Sequence, residues 1–370
     1  MRRGSNELVD LLTASFTRDV VADIWLGTER VASRLRVTSW GLDSALAGDV
    51  KTTGHATIVH ESESGESLRP DGVRGPVTPF GSMIELLVTI SAGFFSETIT
   101  MGRFRVTRVV SAEDTYAEIR GRRVVVATVL EVEVASLDEP VRRRGLQRPT
   151  SPPTGGSCWG EMRVLTGMPV VQDRPDVAIP AGIVWDAVDG SRLAAVQDLA
   201  GRLGGVAVVD SEGAWRIIPD EIGDPVASIT VGEDGTLLSL SDELTPDGVD
   251  NEIIGVFSQG DRGEIVAQAR VTAGPLAVTG PYGTSTRYVS STDIQTADDA
   301  STLVQRILAQ ATSTQQQDMA GTAHFHPLIE IGDVIQVTTD TETVVGRVTQ
   351  LSISDAAVMN FTIRTWRDIR

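Results

Sequence analysis

Residues 123–134 constrain the fold of this chain more than any other stretch. Val124, Val126, Leu130, Val132 and Val134 lie on one side of an extended backbone, with Glu131 and Glu133 on the other. A period of two over that length predicts a long strand with one wet face, the pattern of antiparallel sheet. Shorter apolar stretches bounded by turn residues predict further strands at 20–26, 31–37, 55–59, 84–90 and 102–110. Leu8, Leu11 and Leu12, following Ser5 and Asn6, predict a short lead-in helix.

The pattern changes at 142–156, where Arg142, Arg143, Arg144 and Arg148 precede Ser151-Pro152-Pro153-Thr154-Gly155-Gly156. This composition reads as an exposed connection, 137–159, either solvated or facing an acidic partner. Beyond it, Leu193, Val196, Leu199, Ala200 and Leu203 recur at helical spacing after Ser191, a candidate cap, and stop at Gly204-Gly205. A hairpin over 206–209 and 214–218 follows through Asp210-Ser211-Glu212-Gly213, so 160–222 forms a small α/β element. The rest of the chain reads as strands near 229–231, 237–240, 252–257, 334–338, 344–353 and 358–366. Among them lies a helix at 297–311 with the capping-box spacing Thr296-Ala297-Asp298-Asp299. The resulting fold class is mainly β, a β-rich α+β chain. Two related antiparallel tube-like barrels, 1–136 and 223–370, flank the 160–222 element.

A faint duplication supports the pairing of barrels. Residues 102–120 and 346–364, set side by side without a gap, share Gly-Arg at the start, one internal Ala and Ile-Arg at the end. The expectation is that these segments occupy equivalent strands.

Composition removes several function classes. Asp and Glu number 50 against 32 Lys and Arg, a net charge of −18, which argues against an outer surface that grips nucleic acid or anionic lipid. Cys158 is the only cysteine, so intrachain disulfides and cysteine-built metal clusters are excluded. No apolar run has the length of a signal core or a membrane span, so neither standard export nor a spanning helix is expected. Lys51 is the sole lysine and follows Asp49-Val50, so no Gly-Lys phosphate loop exists. Gly-x-Ser-x-Gly, His-Glu-x-x-His and serine/lysine pairings are missing too. On an extended backbone His324 and His326 would share one side, as a metal pair requires, but no further His is close and the segment leads into a Pro. Glu61/Glu63 and Asp298/Asp299 follow from composition, the latter suiting a helix N-terminus. The tryptophans, Trp25, Trp40, Trp159, Trp185, Trp215 and Trp366, are scattered, as packing residues are. No catalytic, cofactor-binding or metal-binding residue is assigned, no cofactor is expected, and the chain is expected not to be an enzyme.

The C-terminal half carries a resemblance. Asp250-Asn251-Glu252-Ile253-Ile254-Gly255-Val256, Pro281-Tyr282-Gly283, Ala297-x-x-Ala300 opening a helix, Ile331-Gly332-Asp333-Val334-Ile335 and a last strand ending Ile363-Arg364 resemble baseplate hub proteins of tailed phages. Leu11-Leu12-Thr13-Ala14-Ser15 with Gly102-Arg103-Phe104, and Val184-Trp185-Asp186 with the Ser191 helix, are similar to minor tail proteins of actinobacterial siphophages.

The resemblance implies a homotrimeric hub at the distal tail tip of a virion, assembled in the host bacterial cytoplasm. Three chains with two barrels each would make a pseudo-sixfold ring on the tail tube or distal tail ring protein. The other expected partners are tail-tip proteins (fibre or receptor-binding protein, tape measure) and, in transit through a central channel, phage DNA. The chain lacks the long C-terminal extension of larger tail-tip proteins, so attached hydrolase or receptor-binding domains are not expected. Alternatives are a tail-associated cell-wall hydrolase, which needs a cleft with a perturbed carboxylate, a glycan-binding tail module, which needs an exposed Trp, and the hub of a contractile injection device.

Overall fold

The structure, a computed structural model, describes the chain except for residues 63–65, 74, 234, 244–248, 259–263, 292–295 and 369–370. It is mostly β, as expected, with few helices. The chain folds into two units, one of Met1–Leu240 with Gly321–Ile363 and one of Ser241–Ala320 with Arg364–Arg370.

The first unit begins with α1 (Asn6–Leu11), capped by Ser5, whose Oγ accepts from Leu8 N at 3.1 Å. Six strands follow: β1 (Thr17–Leu26), β2 (Glu29–Ala45), β3 (Thr52–Glu61), β4 (Ser82–Ala92), β5 (Phe95–Ile119) and β6 (Arg122–Ala135). Their antiparallel pairings run β1-β4-β5-β6-β3-β2 and return from β2 to β1, closing a barrel. Closure pairs the backbone groups an open sheet leaves exposed. Alternate residues fill the interior: Ile84, Leu86, Val88 and Ile90 of β4 and Leu130 and Val132 of β6 are fully buried. The register is bent where Asp23, buried, accepts from Arg34 N at 2.7 Å and Arg30 Nη1 at 3.1 Å, and Arg34 adopts φ 52°. Only residues 127–135 of β6 pair with β3, so the far end of the β5–β6 hairpin runs on as a two-stranded ribbon.

The middle segment packs a core of its own. Helices α2 (Asp138–Arg143), α3 (Cys158–Thr166) and α4 (Ser191–Arg202) and the hairpin β7 (Gly205–Val209) and β8 (Trp215–Pro219) bury Trp159, Met162, Leu165, Val196, Leu199 and Trp215. Within the segment 137–159, the Arg/Pro/Gly-rich stretch 142–156 is mostly exposed, and burial is confined largely to the two ends. Leu137, Asp138, Glu139 and Val141 are buried near its start and Cys158 and Trp159 at its end. Arg144 serves the backbone, its Nη2 donating to Leu165 O at 2.7 Å and satisfying a carbonyl at the end of α3, while Arg143 lies 3.5 Å from Glu139. Ser191 is not the cap of α4. That position belongs to Gly190 at φ 72°, and Ser191 Oγ accepts from Leu146 N at 3.3 Å.

After β9 (Ala227–Thr230) and β10 (Leu237–Glu243) the chain enters the second unit. There β11 (Glu252–Ser258) pairs antiparallel with β12 (Glu264–Arg270) and parallel with β13 (Thr286–Ser291). Helix α5 (Ala297–Ser313) adds Ala300 and Val304 to a core with Ile253, Phe257 and Ala269. A Cβ on Gly255 would sit 2.5 Å from Phe257 Cε2 and 2.8 Å from Val304 Cγ1, so glycine leaves room for both the ring and the helix. Thr296 caps α5 as expected, its Oγ1 accepting from Asp299 N at 3.1 Å.

The chain continues through β14 (Thr314–His324), β15 (Val334–Thr338), β16 (Thr343–Ser354) and β17 (Val358–Asp368). The sequence reading has no strand for β12, β13 or β14. Thr and Gln fill the start of β14, which has no clear alternation to betray it.

The order of these later strands is β9-β15-β16-β17-β14-β10. Strand for strand it repeats β1-β4-β5-β6-β3-β2, with β11–β13 and α5 inserted between the counterparts of β2 and β3. One member departs: β9 runs parallel to β15, whereas β1 runs antiparallel to β4. The residue alignment of 102–120 with 346–364 is thereby corrected. Its two Gly-Arg starts lie on the counterpart strands β5 and β16, Gly102 opposite Leu86 and Gly346 opposite Ile335. Its ends do not correspond, because β5 runs straight on to Ile119 while the later copy turns at 355–357 into β17.

Candidate functional site

Among the described residues no cluster of His, Cys, Asp or Glu is placed to hold a metal, and the feature with functional content is the seam between the two repeats. Gly41–Ala45 of β2 pairs antiparallel with Gln350–Ser354 of β16, making one sheet of 12 strands. On the buried side Trp40, 1% exposed, meets Phe325 edge to face at 6.4 Å between centroids. Arg18 of β1 lies over the same Phe325 ring at 4.3 Å and donates from Nη1 to Ser354 O at 3.2 Å and to Ala356 O at 3.0 Å. A third donation, from Nη2, goes to Asp355 O. One guanidinium from the first repeat thus holds the β16–β17 turn of the second. Burial lowers its pKa, partly offset by Asp355. We expect Arg18→Lys, which keeps the charge but loses the planar fork and the stacking, to cost about 1–3 kcal/mol in denaturant unfolding.

Lys51 and Arg2 complete the seam. Lys51 Nζ donates to Leu46 O at 2.7 Å and Gly48 O at 2.6 Å, fixing the β2–β3 loop, while Leu46 N donates to Thr349 O at 2.9 Å. The lysine is therefore a loop cap. Arg2 Nη1 donates to Pro327 O at 2.8 Å and Ile329 O at 2.9 Å and its Nε to Met101 O at 3.3 Å, bridging β5 to the approach of β15. Glu330 lies 3.7 Å from Arg2 Nε and 3.3 Å from Arg216 Nη2, and buried Asp333 takes the Met1 amine. Burial raises the Asp333 carboxyl, with the amine pulling the other way. A cavity of about 40 Å³, lined by Arg2, Lys51, Phe104, Arg216 and Glu330 among others, has the room of one or two waters, and an open cleft of about 520 Å³ shares Arg2, Arg216 and Glu330 with it.

The residues weighed for chemistry are placed as follows. His324 is exposed at the end of β14, and His326 lies beyond it with its imidazole held down to about 4 by burial. Among the described residues no group of three or more His, Cys, Asp or Glu is placed to hold a metal. Glu61 ends β3, and Glu63 lies outside the described residues. Trp40, Trp159, Trp185 and Trp215 are buried, and Trp25 donates to Glu85 at 2.9 Å beneath the Arg103 guanidinium. The Trp366 side chain lies outside the described residues. Cys158 is buried at the start of α3, where desolvation raises its thiol.

His326 predicts a pH effect. Its folded pKa of about 4 lies below the ordinary 6.5, so the unfolded chain takes up the proton first as pH falls. Stability is therefore lost between about pH 6.5 and 4, by at most about 3 kcal/mol from this group. A smaller loss over that window in His326→Asn than in the parent, by urea unfolding, is the expected result.

Two motifs behind the sequence resemblance meet in the second unit. Asn251, fully buried, donates from Nδ2 to Leu276 O at 2.9 Å and Gly283 O at 2.7 Å, and its Oδ1 accepts from Ser285 N at 2.8 Å. Tyr282 Oη donates to Val249 O at 2.7 Å. Asp250-Asn251-Glu252 and Pro281-Tyr282-Gly283 are thus halves of one hydrogen-bonded knot.

The fold is a repeated sheet joined along a strand edge, with a small helical module between the repeats in the chain. No protein-family profile matches the sequence, and no curated protein matches it. Solved structures do match. A tail protein from Neisseria meningitidis MC58 superposes with TM-score 0.57 at 11% identity, covering 94% of this chain and 97% of that one. The 43 kDa tail protein of prophage MuSo2 from Shewanella oneidensis gives 0.55 at 11%, covering 94% and 98%. A chain of the Francisella PdpA–VgrG complex gives 0.54 at 8%, covering 94% of this chain and 58% of that one. This chain has the fold of phage tail proteins. Among its described residues no helix is long and apolar enough to cross a membrane.

Proposed function

We propose that the protein is a structural hub of a phage tail tip: three copies form a ring that adapts a sixfold tail tube to a threefold tip and leaves a channel for DNA. The observation that supports this reading is the repeated strand order. Two like sheets in one polypeptide give three chains six like modules, and heterologous contacts then close a ring with the tube's repeat. The net charge of −18 fits a lumen from which a phosphate backbone is repelled. The barrel 1–136 and the related sheet within 223–370 are the ring modules on this reading, 160–222 is an appendage between them in the chain, and the partners are the tube or distal tail ring and the other tip proteins.

The test is the native mass of the purified chain, alone and with its tail ring protein, followed by electron microscopy of whole particles. A trimer of this chain coaxial with the tube is expected. A dimer or hexamer of this chain, or release of wall fragments from purified cell walls by the isolated protein, overturns the reading.

A further inference from the structure

The middle segment carries a patch of charge opposite in sign to that of the chain. Between Val141 and Gly167 stand five arginines and one carboxylate, Glu161, in a protein of net charge −18. Arg143 lies against Glu139, but Arg142, Arg144, Arg148, Arg163 and, in the first turn of α4, Arg192 form no salt bridge among the described residues. Three elements bring the charges together. Leu165 O, at the end of α3, accepts from Arg144 Nη2 at 2.7 Å and from Arg192 Nη1 at 3.1 Å, and Arg192 Nε donates to Arg144 O at 2.7 Å. Two guanidiniums are thus fixed side by side, and burial and the Arg144 charge both lower the pKa of Arg192. Arg163 stands in the last turn of α3, and Arg142 lies beside Gly190, the cap of α4. One cation is enough to satisfy a helix C-terminus, so capping does not account for the group. Arg144 Nε and Nη1 and Arg192 Nη2 have no acceptor among the described residues. Aliphatic side chains flank the charges: Val164, next to Arg163, is 69% exposed, and Val188, whose carbonyl lies against Gly145, is 62% exposed.

We infer that this face docks an acidic segment of a partner protein, with its carboxylates on Arg144, Arg163 and Arg192 and its apolar side chains on Val164 and Val188. Guanidiniums already held by backbone carbonyls lose little freedom on binding, and their remaining N–H groups offer the planar fork that a carboxylate takes. Phosphate would satisfy the same fork, and the valines decide between the two. Nucleic acid is held largely through phosphate and sugar oxygens, whereas arginine beside apolar groups is characteristic of protein–protein contacts. The charge of the chain points the same way. A long polyanion meets the repulsion of the whole molecule, while a short acidic segment meets mainly the charges within a Debye length, about 8–10 Å at physiological salt. Neither a trimer nor a channel is needed for such a contact.

Fluorescence anisotropy of the full chain with a labelled peptide of alternating Glu and Val tests this, with the matching Gln and Val peptide and an oligothymidylate of equal charge as comparators. The Glu peptide is expected to bind in a salt-sensitive way, about tenfold or more tighter than either comparator. Arg144→Gln would also loosen the end of α3, so the variants are made at exposed Arg163 and Val164, whose side chains serve no carbonyl among the described residues. Arg163→Glu should weaken the Glu peptide about tenfold, and Val164→Ser should weaken it about threefold while leaving the salt dependence as in the parent. Circular dichroism should show both variants folded as the parent is. No binding of the Glu peptide to the parent, undiminished binding by either variant, or equal binding of the Gln peptide overturns the docking surface. Tighter binding of the oligothymidylate overturns it in favour of nucleic acid.

Discussion

Trp40→Ala is expected to cost about 3–5 kcal/mol, among the largest losses available from one side chain in the first unit. The indole is buried where β2 turns from its own barrel to β16, and its ring edge meets Phe325. Truncation leaves a cavity the size of a bicyclic ring, and the neighbours that would fill it are held by the strand pairing on either side. Trp40 Nε1 has no hydrogen-bond partner among the described residues, so Trp40→Phe removes a buried donor along with volume and should cost clearly less. Urea unfolding read by far-UV circular dichroism gives both values. Amide hydrogen exchange at Leu42 and Ile353 should accelerate in Trp40→Ala before exchange deep in the first barrel does. Equal losses in the two variants, or exchange that rises evenly across the unit, would falsify the view that this residue holds the seam.

Asn251 carries the second large effect. Its amide satisfies two carbonyls and one backbone N–H inside the second unit, and Asn251→Ala leaves all three without it. The partner residues are half-buried, so at about 1 kcal/mol for each lost bond a total of about 3 kcal/mol is expected. Asn251→Asp keeps the shape and the acceptor for Ser285 N but replaces the two donations with a carboxylate facing carbonyl oxygens, so it should be at least as damaging as the alanine variant. Hydrogen exchange of β11 and β13 is the readout. Parent-like protection in Asn251→Asp would show that side-chain shape, and not donation, holds the Pro281-Tyr282-Gly283 turn.

Both residues bear on what could be read before the fold was known. The alternation of β6, the stripes of α4 and α5 and the Thr296 capping box are local patterns, and they survive into the structure because each depends on neighbours within a few residues. The strand β14 was hidden because its Thr and Gln residues have no apolar rhythm. The repeat was legible only in part: Gly102 and Gly346 do sit on counterpart strands, but the match beyond them compares a continuing strand with a turning one. Asn251 stood inside a recognisable motif, yet nothing in that motif says that its partner is Gly283, 32 residues later.

By itself the sequence determined the mainly β class, most strands, the principal helices and the absence of the familiar catalytic motifs, because side-chain spacing and residue type carry that information over short distances. The tertiary structure alone decided the strand order that reveals the repeat, the pairing of β2 with β16 and the role of Arg18, whose carbonyl partners lie more than 330 residues away. Such contacts depend on which sheet edges are left open once the local elements have formed. An edge belongs to a sheet, and no single strand's sequence spells it out.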